Sequence, residues 1–172
     1  MRTLMLAVLS ALPAAALADP PKPAAPPLEV TSTAFKANGA IPTEYTCEGT
    51  GTAPPLTWSR APAAAKSIAI LVDDPDAPSG TFTHWLVTGI PPTTTSLDKS
   101  ELPAGAMASK NSKGAMGYAA PCPPSGLHRY RFDVFALDIA APKATSRADF
   151  LADINGHIVA KGELVGTYQK RQ

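Results

Sequence analysis

Short apolar runs, rich in β-branched and aromatic residues, recur along this chain at lengths typical of strands. Four of them predict β-strands, at residues 28–35, 67–73, 85–90 and 130–137. In the last run Tyr130, Phe132 and Val134 alternate with Arg131 and Asp133. Because successive side chains of a strand point to opposite faces, one face of this strand is predicted to be core and the other mixed.

The connections between these runs are clusters of turn-forming residues, such as DPDAPSG at 74–80 and PCPPSG at 121–126. The 19 prolines of the chain fall mostly in clusters of this kind. Because proline favours turns and cannot continue a helix, this distribution predicts a mostly β fold.

One clear helix is predicted near the C terminus. Ser146 is suited to cap it, Asp149 follows three residues later, and Phe150 begins its apolar face. A second, short helical turn is predicted over 158–161, before the chain returns to strand over 163–168. His157 is expected in this helical region, either on its surface or as a packing residue.

The N-terminal segment has the pattern of a cleaved signal peptide, predicted over 1–18. It begins with Arg2, continues as an apolar run and ends in the small-residue sequence Ala-Leu-Ala. The apolar run is shorter than the roughly 20 residues that cross a bilayer, so no transmembrane anchor is expected. A proline-rich leader (19–27) and one folded domain (28–172) follow, which predicts a periplasmic or secreted protein.

The charge balance argues against a nucleic-acid partner. The sequence has 15 Lys and Arg against 14 Asp and Glu. Loss of Arg2 with the signal peptide leaves a formally neutral chain. Since binding to a phosphate backbone needs clustered basic residues, nucleic acid is not an expected partner.

The two cysteines, Cys47 and Cys122, are predicted to form a disulfide. Export places them in an oxidising compartment, where disulfides persist. Closing a loop of this length could stabilise the fold by about 4 kcal/mol in the chain-entropy model. Two separate buried thiols are the alternative.

Common catalytic signatures are absent from the sequence. It contains no G-x-S-x-G motif, no H-E-x-x-H motif and no phosphate-binding glycine loop. The histidines have no short metal-ligand spacing, so neither a metal site nor a cofactor is expected.

Polar residues instead gather where the predicted strands begin or end. Asp74 and Asp76 directly follow the buried run 67–73, and His84 stands at the start of the next strand. His128 and Tyr130 open a third strand, and their spacing of two points both side chains to one face. If these strand ends meet, the five side chains form one polar pocket.

Asp76 and several residues near this set also have a structural interpretation. Asp76 either bonds backbone within its turn or meets the ammonium of a zwitterionic ligand. Tyr118 and Trp85 are expected in the core or the wall of a cavity. Arg129 and Arg131 alternate away from the face of His128, which predicts strand salt bridges for them.

The ordered combination of motifs closely resembles the phosphatidylethanolamine-binding protein family, and in particular its bacterial Raf kinase inhibitor-like branch. The resemblance covers most of the chain from 28 to 168. The segments that carry it are IPTEYTCEGTGTAPPLTW at 41–58, DPDAP at 74–78, HWLV at 84–87 and GYAAPCPPSGLHRYRFDVFALD at 117–138.

The resemblance implies a β-sandwich of a large and a small sheet with short peripheral helices and one anion-binding cavity. By the same resemblance, Asp74, His84, His128 and Tyr130 match the pocket residues of the family's motifs. Pro123 and Pro124 match the loop at the mouth of the cavity. The complete predicted ligand-binding set is Asp74, Asp76, His84, Pro123, Pro124, His128 and Tyr130.

The function expected from these residues is the binding of a small phosphate or carboxylate, such as a phospholipid head group, without catalysis. The histidines, Tyr130 and backbone N–H groups of the 121–126 loop can donate hydrogen bonds to such an anion. The family's names suggest a second function, the inhibition of a protease or a kinase. A hydrolase using Asp74 and a histidine is a third hypothesis, which lacks an evident nucleophile.

Overall fold

The computed structural model describes residues 27–171, which form eight strands, one α-helix and one 3₁₀ turn. In chain order the elements are β1 (Val30–Thr31), the 3₁₀ turn (Thr43–Tyr45), β2 (Leu56–Trp58), β3 (Ser67–Asp74), β4 (Phe82–Ile90), β5 (Ser96–Leu97), β6 (Met107–Ala108), β7 (His128–Leu137), α1 (Arg147–Asp153) and β8 (Ile158–Tyr168). The small sheet has the order β1-β2-β5 and the large sheet the order β6-β4-β3-β7-β8. All the strand pairs of both sheets are antiparallel. This architecture confirms the mostly β fold of two sheets.

The large sheet is the middle layer of the domain. On one face its apolar side chains, among them Ile70 and Phe132, form a single core with Val30 and Trp58 of the small sheet. On the other face a smaller cluster includes Phe150 of the helix. Because both faces are covered, every residue of β3 is buried, and its sequence lacks the alternation of a half-exposed strand.

The predicted helix is confirmed, together with its cap. The Ser146 Oγ atom accepts a hydrogen bond from the backbone N–H of Asp149 at 3.1 Å, as an N-cap requires. The Phe150 ring is fully buried and meets Phe135 of β7 edge to face, with 5.6 Å between ring centroids. This contact anchors the helix to the outer face of the large sheet.

The helical turn predicted over 158–161 is wrong, since these residues begin β8. Gly156 has φ 80°, and this left-handed conformation reverses the chain directly after the helix. From there β8 pairs with β7 along nearly its full length, with Ala160 opposite Ala136. Pairing with β7 stabilises this segment more than a single helical turn would, because one isolated turn is unstable without tertiary contacts.

Two further predictions need correction, one in the length of a strand and the other in the position of a residue. The strand predicted over 28–35 is confirmed only at Val30–Thr31, because the Ser32 hydroxyl donates to the Pro55 carbonyl at 2.6 Å and accepts from the Ala34 N–H. Such side-chain bonds compete with ladder pairing. His157 lies beyond the helix, and its Nδ1 is 2.8 Å from a carboxylate oxygen of Asp138.

The predicted signal peptide (1–18) lies outside the described residues, as does the leader (19–27) except for Pro27. Within 27–171, the structure contains no helix with the length and apolar character needed to cross a bilayer.

Candidate functional site

The topology of the large sheet brings the three predicted strand ends together. Since β3 runs antiparallel to both β4 and β7, its C-terminal end lies beside the N-terminal ends of its two neighbours. Asp74 is paired with Phe82 of β4, and Asp73 is paired with Arg131 of β7. Consecutive strand residues point to opposite faces, so Asp73 turns toward the helix layer, where it accepts from Arg147 at 2.7 Å.

A cavity of about 280 Å³ lies at this end of the sheet. Six of the seven residues predicted for ligand binding line it, namely Asp74, His84, Pro123, Pro124, His128 and Tyr130. The remaining lining residues are Ala77, Pro78, Phe82, Lys113, Ala120 and Cys122. The strand-end interpretation therefore agrees with the geometry for four of its five residues, Asp76 being the exception, and the two prolines implied by the resemblance also line the cavity.

The Asp74 carboxylate fixes the ring of His128. Asp74 Oδ2 accepts a hydrogen bond from His128 Nδ1 at 2.7 Å, and Asp74 Oδ1 accepts from the Asp76 N–H at 2.8 Å. Both side chains are buried. Because the carboxylate can only accept, His128 Nδ1 carries a proton, and Nε2 is the ring atom left for a ligand.

The second histidine is held by backbone instead of a carboxylate. His84 Nδ1 lies 2.6 Å from the Ala119 carbonyl, and the Ala119 N–H donates to the His84 carbonyl at 2.8 Å. Burial lowers the pKa of His84, which favours the neutral ring. Since Nδ1 donates to the carbonyl, the neutral ring has its lone pair on Nε2.

Tyr130 contributes a buried hydroxyl to the cavity. The residue is 0 % exposed, and its hydroxyl has no hydrogen-bond partner among the described residues. Its ring meets His84 edge to face at 5.1 Å between centroids. Burial raises the pKa of Tyr130, so the hydroxyl stays protonated and is a donor. A buried unpaired hydroxyl is costly, and a bound acceptor would remove that cost.

Asp76 has different partners from Asp74. Its carboxylate accepts from the Arg129 guanidinium at 2.6 Å and 2.9 Å and from the Arg129 backbone N–H at 2.9 Å. The hydrogen bond from the guanidinium holds the pKa of Asp76 at about 2. The side chain is outside the cavity lining. This pair, together with the 2.6 Å contact between Arg131 and Glu163, confirms the surface salt bridges predicted for the two arginines.

The predicted disulfide is present and supports the wall of the cavity. Cys47 and Cys122 are bonded, with 5.4 Å between their Cα atoms. The Cys47 N–H also donates to the Pro121 carbonyl at 3.0 Å. These two links attach the loop that carries Pro123 and Pro124 to the segment after the 3₁₀ turn.

Sequence reasoning missed Phe82 and Lys113. Phe82 precedes His84 by two positions on β4, so strand periodicity could have placed both on one face. Lys113 follows Asn111 and Ser112 in a polar turn, where no periodic pattern marks the direction of a side chain. Its place in the cavity depends on contacts between its turn and β4, a strand that is distant in the sequence.

Two of the aromatic residues near the cavity meet each other. Tyr118 and Trp85 form an edge-to-face pair with 5.7 Å between centroids, and Trp85 belongs to the core.

Over residues 27–171, no cluster of three or more His, Cys, Asp or Glu side chains is arranged to hold a metal ion.

Comparisons with known proteins agree with this architecture. The family model described as phosphatidylethanolamine-binding protein matches residues 31–169. A UPF0098 protein of Methanothermobacter thermautotrophicus is 43% identical over 144 residues, covering 80% of this chain and 95% of the relative. A Mycobacterium tuberculosis protein named as a candidate lipoprotein, LppC, is 41% identical over 156 residues, covering 88% of this chain and 77% of the relative.

A solved structure supports the same assignment. The crystal structure of Escherichia coli YbcL, described as a new member of the mammalian PEBP family, superposes with a TM-score of 0.78 at 34% identity. The alignment covers 84% of this chain and 99% of YbcL. The chain therefore belongs to the phosphatidylethanolamine-binding protein family.

Proposed function

We propose that this protein is an exported binding protein that holds a small phosphate or carboxylate ligand in the cavity at the end of the large sheet. The observation that carries the proposal is the Tyr130 hydroxyl, a fully buried donor without a partner among the described residues. It stands beside two histidine rings whose Nδ1 atoms are already engaged. The Tyr130 hydroxyl and the Nε2 atoms of His84 and His128 are thus left for one ligand.

The character of the cavity supports a small ligand with one anionic group. Its volume of about 280 Å³ is at the lower end of the range of small-molecule sites. Proline, alanine and phenylalanine side chains provide an apolar wall around the polar atoms. A phosphate that ends a lipid head group and a free phosphomonoester would present the same chemistry to this site.

Binding without catalysis is favoured by the lack of an activated hydroxyl or thiol in the lining. The one cysteine there, Cys122, is in the disulfide, and the Tyr130 hydroxyl has its pKa raised by burial. A hydrolase without them would have to rely on a histidine of the lining, as nucleophile or as general base for a water. Turnover of a phosphoester panel that is lost in His128→Ala would overturn this part of the proposal.

Export is supported by three observations of different kinds. Residues 1–18 have the signal-peptide pattern, the Cys47–Cys122 disulfide suits an oxidising compartment, and LppC is named as a candidate lipoprotein. Cleavage of residues 1–18 would be checked by mass spectrometry of the protein recovered from the periplasm or medium. An intact N terminus in the cytoplasmic fraction would overturn it.

The experiment that tests ligand binding is calorimetric titration of the mature protein with phosphate, acetate and phosphorylethanolamine. We expect one binding site that His128→Ala abolishes and that Tyr130→Phe weakens about tenfold, since it removes a single hydrogen bond to a charged group. Tyr130→Phe keeps the buried ring, which makes it the conservative variant. No binding of any of the three ligands to the wild type would overturn the proposal.

Inhibition of a protease or kinase remains a separate prediction. Its dependence on the cavity can be measured with the variants His84→Ala and His128→Ala. Inhibition that survives both substitutions would assign the activity to a surface outside the cavity.

A further inference from the structure

The one lysine in the cavity lining, Lys113, has no ion-pair partner. Within residues 27–171, each salt bridge is formed by other side chains. The one carboxylate in the lining, that of Asp74, has one oxygen bonded to His128 and the other to the Asp76 N–H. The lining therefore has one exposed cation without an ion pair and one buried carboxylate whose two oxygens each already accept a hydrogen bond.

Backbone and side-chain bonds fix the turn that carries Lys113. The Lys113 N–H donates to Asn111 Oδ1 at 2.9 Å, and the buried Asn111 amide donates to the Gly117 carbonyl at 2.9 Å. The neighbouring Ser112 N–H donates to the Thr83 carbonyl, and the Thr83 N–H donates back to the Ser112 hydroxyl at 2.8 Å. The turn is thus attached to β4 directly before His84.

We infer that Lys113 makes this site selective for phosphomonoesters without a cationic group, over both carboxylates and zwitterionic phosphorylethanolamine. The inference rests on the proposed function, since it specifies the ligand of the same cavity. It excludes the head group that the family's name would suggest, and it depends on the charge of a residue that strand periodicity does not mark.

The preference follows from the charges that the ligand would meet. A phosphomonoester carries about −1.5 to −2 charges at neutral pH and three acceptor oxygens, whereas a carboxylate carries one charge and two oxygens. An added ammonium would meet one carboxylate in the lining, that of Asp74, which is buried and already accepts from the His128 ring and from the Asp76 N–H. The same ammonium would be repelled by the Lys113 cation, which makes the zwitterion the poorer ligand.

The test is calorimetric titration with methyl phosphate, phosphorylethanolamine and acetate as probes. We expect the wild type to bind methyl phosphate at least about fivefold more tightly than the other two, at matched ionic strength. Lys113→Met should lower the affinity for methyl phosphate about tenfold and remove most of this selectivity. Lys113→Arg, which keeps the charge, should retain the preference for methyl phosphate.

Lys66→Met is the matched control, because it removes the same charge at a distant position. Lys66 is exposed and precedes β3 at the end of the strand opposite Asp74. This variant should bind all three probes like the wild type. Thermal unfolding of each variant would establish that the domain is intact.

The outcomes separate this inference from the proposed function. If the wild type binds the probes and His128→Ala abolishes binding, but Lys113→Met keeps the selectivity, the inference alone is wrong. Equal affinity of the wild type for methyl phosphate and phosphorylethanolamine would also overturn it alone. A wild type that binds none of the three probes would overturn both.

Discussion

The Asp74 carboxylate lies 2.7 Å from His128 Nδ1 and joins the end of β3 to the start of β7 at the wall of the cavity. The two residues are 54 positions apart in the chain, and neither side chain is exposed by more than a tenth. A negative charge would repel an anion directly, but the Asp74 carboxylate holds in place the ring that would bind the anion. The carboxylate of Asp76, two positions later, forms a salt bridge with Arg129 outside the cavity.

This difference predicts unequal effects of two substitutions in one turn on phosphate binding. Asp74→Asn should weaken phosphate binding about tenfold, because a neutral amide holds the His128 ring less firmly than a carboxylate. Asp76→Asn should change the affinity by less than about twofold. Its cost should be limited to an exposed salt bridge, about 0–1 kcal/mol of unfolding free energy. Titration calorimetry and urea unfolding of both variants provide the two measurements.

A marked loss of affinity in Asp76→Asn would contradict this division of roles. It would mean that the Asp76–Arg129 pair helps to shape the site, since a carboxylate has no hydrogen bond to donate to phosphate. Asp74→Ala is less suitable as a test, because it also leaves the Asp76 N–H without its acceptor.

Anion binding should be linked to protonation of His84. The neutral ring presents a lone pair at Nε2, so the ring must gain a proton before it can donate to an anion there. Burial lowers the pKa of His84, with smaller effects from the Asp73, Asp74 and Lys113 charges around it. The affinity for sulfate, whose charge is constant over this range, should therefore rise as the pH falls from 8 to 6, by up to about tenfold per unit.

The linked proton can be measured by calorimetry in two buffers of different ionisation enthalpy. His84→Gln, whose amide donates without titrating, should show a smaller pH dependence than the wild type. Since His128 also faces the ligand, any pH dependence that remains in His84→Gln should be compared with that of His128→Gln. If sulfate affinity is flat from pH 8 to 6, no proton is taken up on binding.

A fall in pH should change the stability of the free protein in the opposite direction from its affinity for an anion. Because the folded-state pKa of His84 is lowered, its contribution to stability is complete above the unfolded value of about 6.5. That contribution is lost as the pH falls through the folded-state pKa. The free protein should therefore unfold more easily at pH 5 than at pH 7, and saturating sulfate should reduce the difference.

Local patterns in the sequence predict most of the strands and most of the site. The apolar run at 67–73 and the spacing of His128 and Tyr130 depend only on neighbouring residues, and both agree with the structure. The local pattern at 158–161 predicts a helical turn where β8 begins, because pairing with β7 depends on residues more than 20 positions away. The partner of Asp76 likewise lies 53 positions away.

Removal of the disulfide should weaken both the fold and the site. Cys47→Ser with Cys122→Ser should lower the free energy of unfolding by about 2–4 kcal/mol, because the unfolded chain loses a long-range constraint. It should also lower phosphate affinity, since Cys122 lines the cavity and its loop carries Pro123 and Pro124. Urea unfolding and calorimetry of the double variant would measure the two effects.

A thiol count on the wild type provides the control for this experiment. The unreduced, denatured mature protein should have no free thiol. Two free thiols would show that the bond does not form in the exported protein, and the predicted loss of stability would then have no basis.

Gly162 on β8 marks a close approach of the first strand segment to the large sheet. A Cβ atom there would overlap the Leu28 carbonyl oxygen and lie 2.7 Å from Val30 Cγ2. Gly162→Ala should therefore lower the free energy of unfolding by about 1–3 kcal/mol, the usual cost of overpacking. Glu163→Ala, next to it on β8, removes only a partly exposed pair with Arg131 and should cost at most about 1 kcal/mol. Equal urea midpoints for Gly162→Ala and the wild type would contradict this packing of the small sheet.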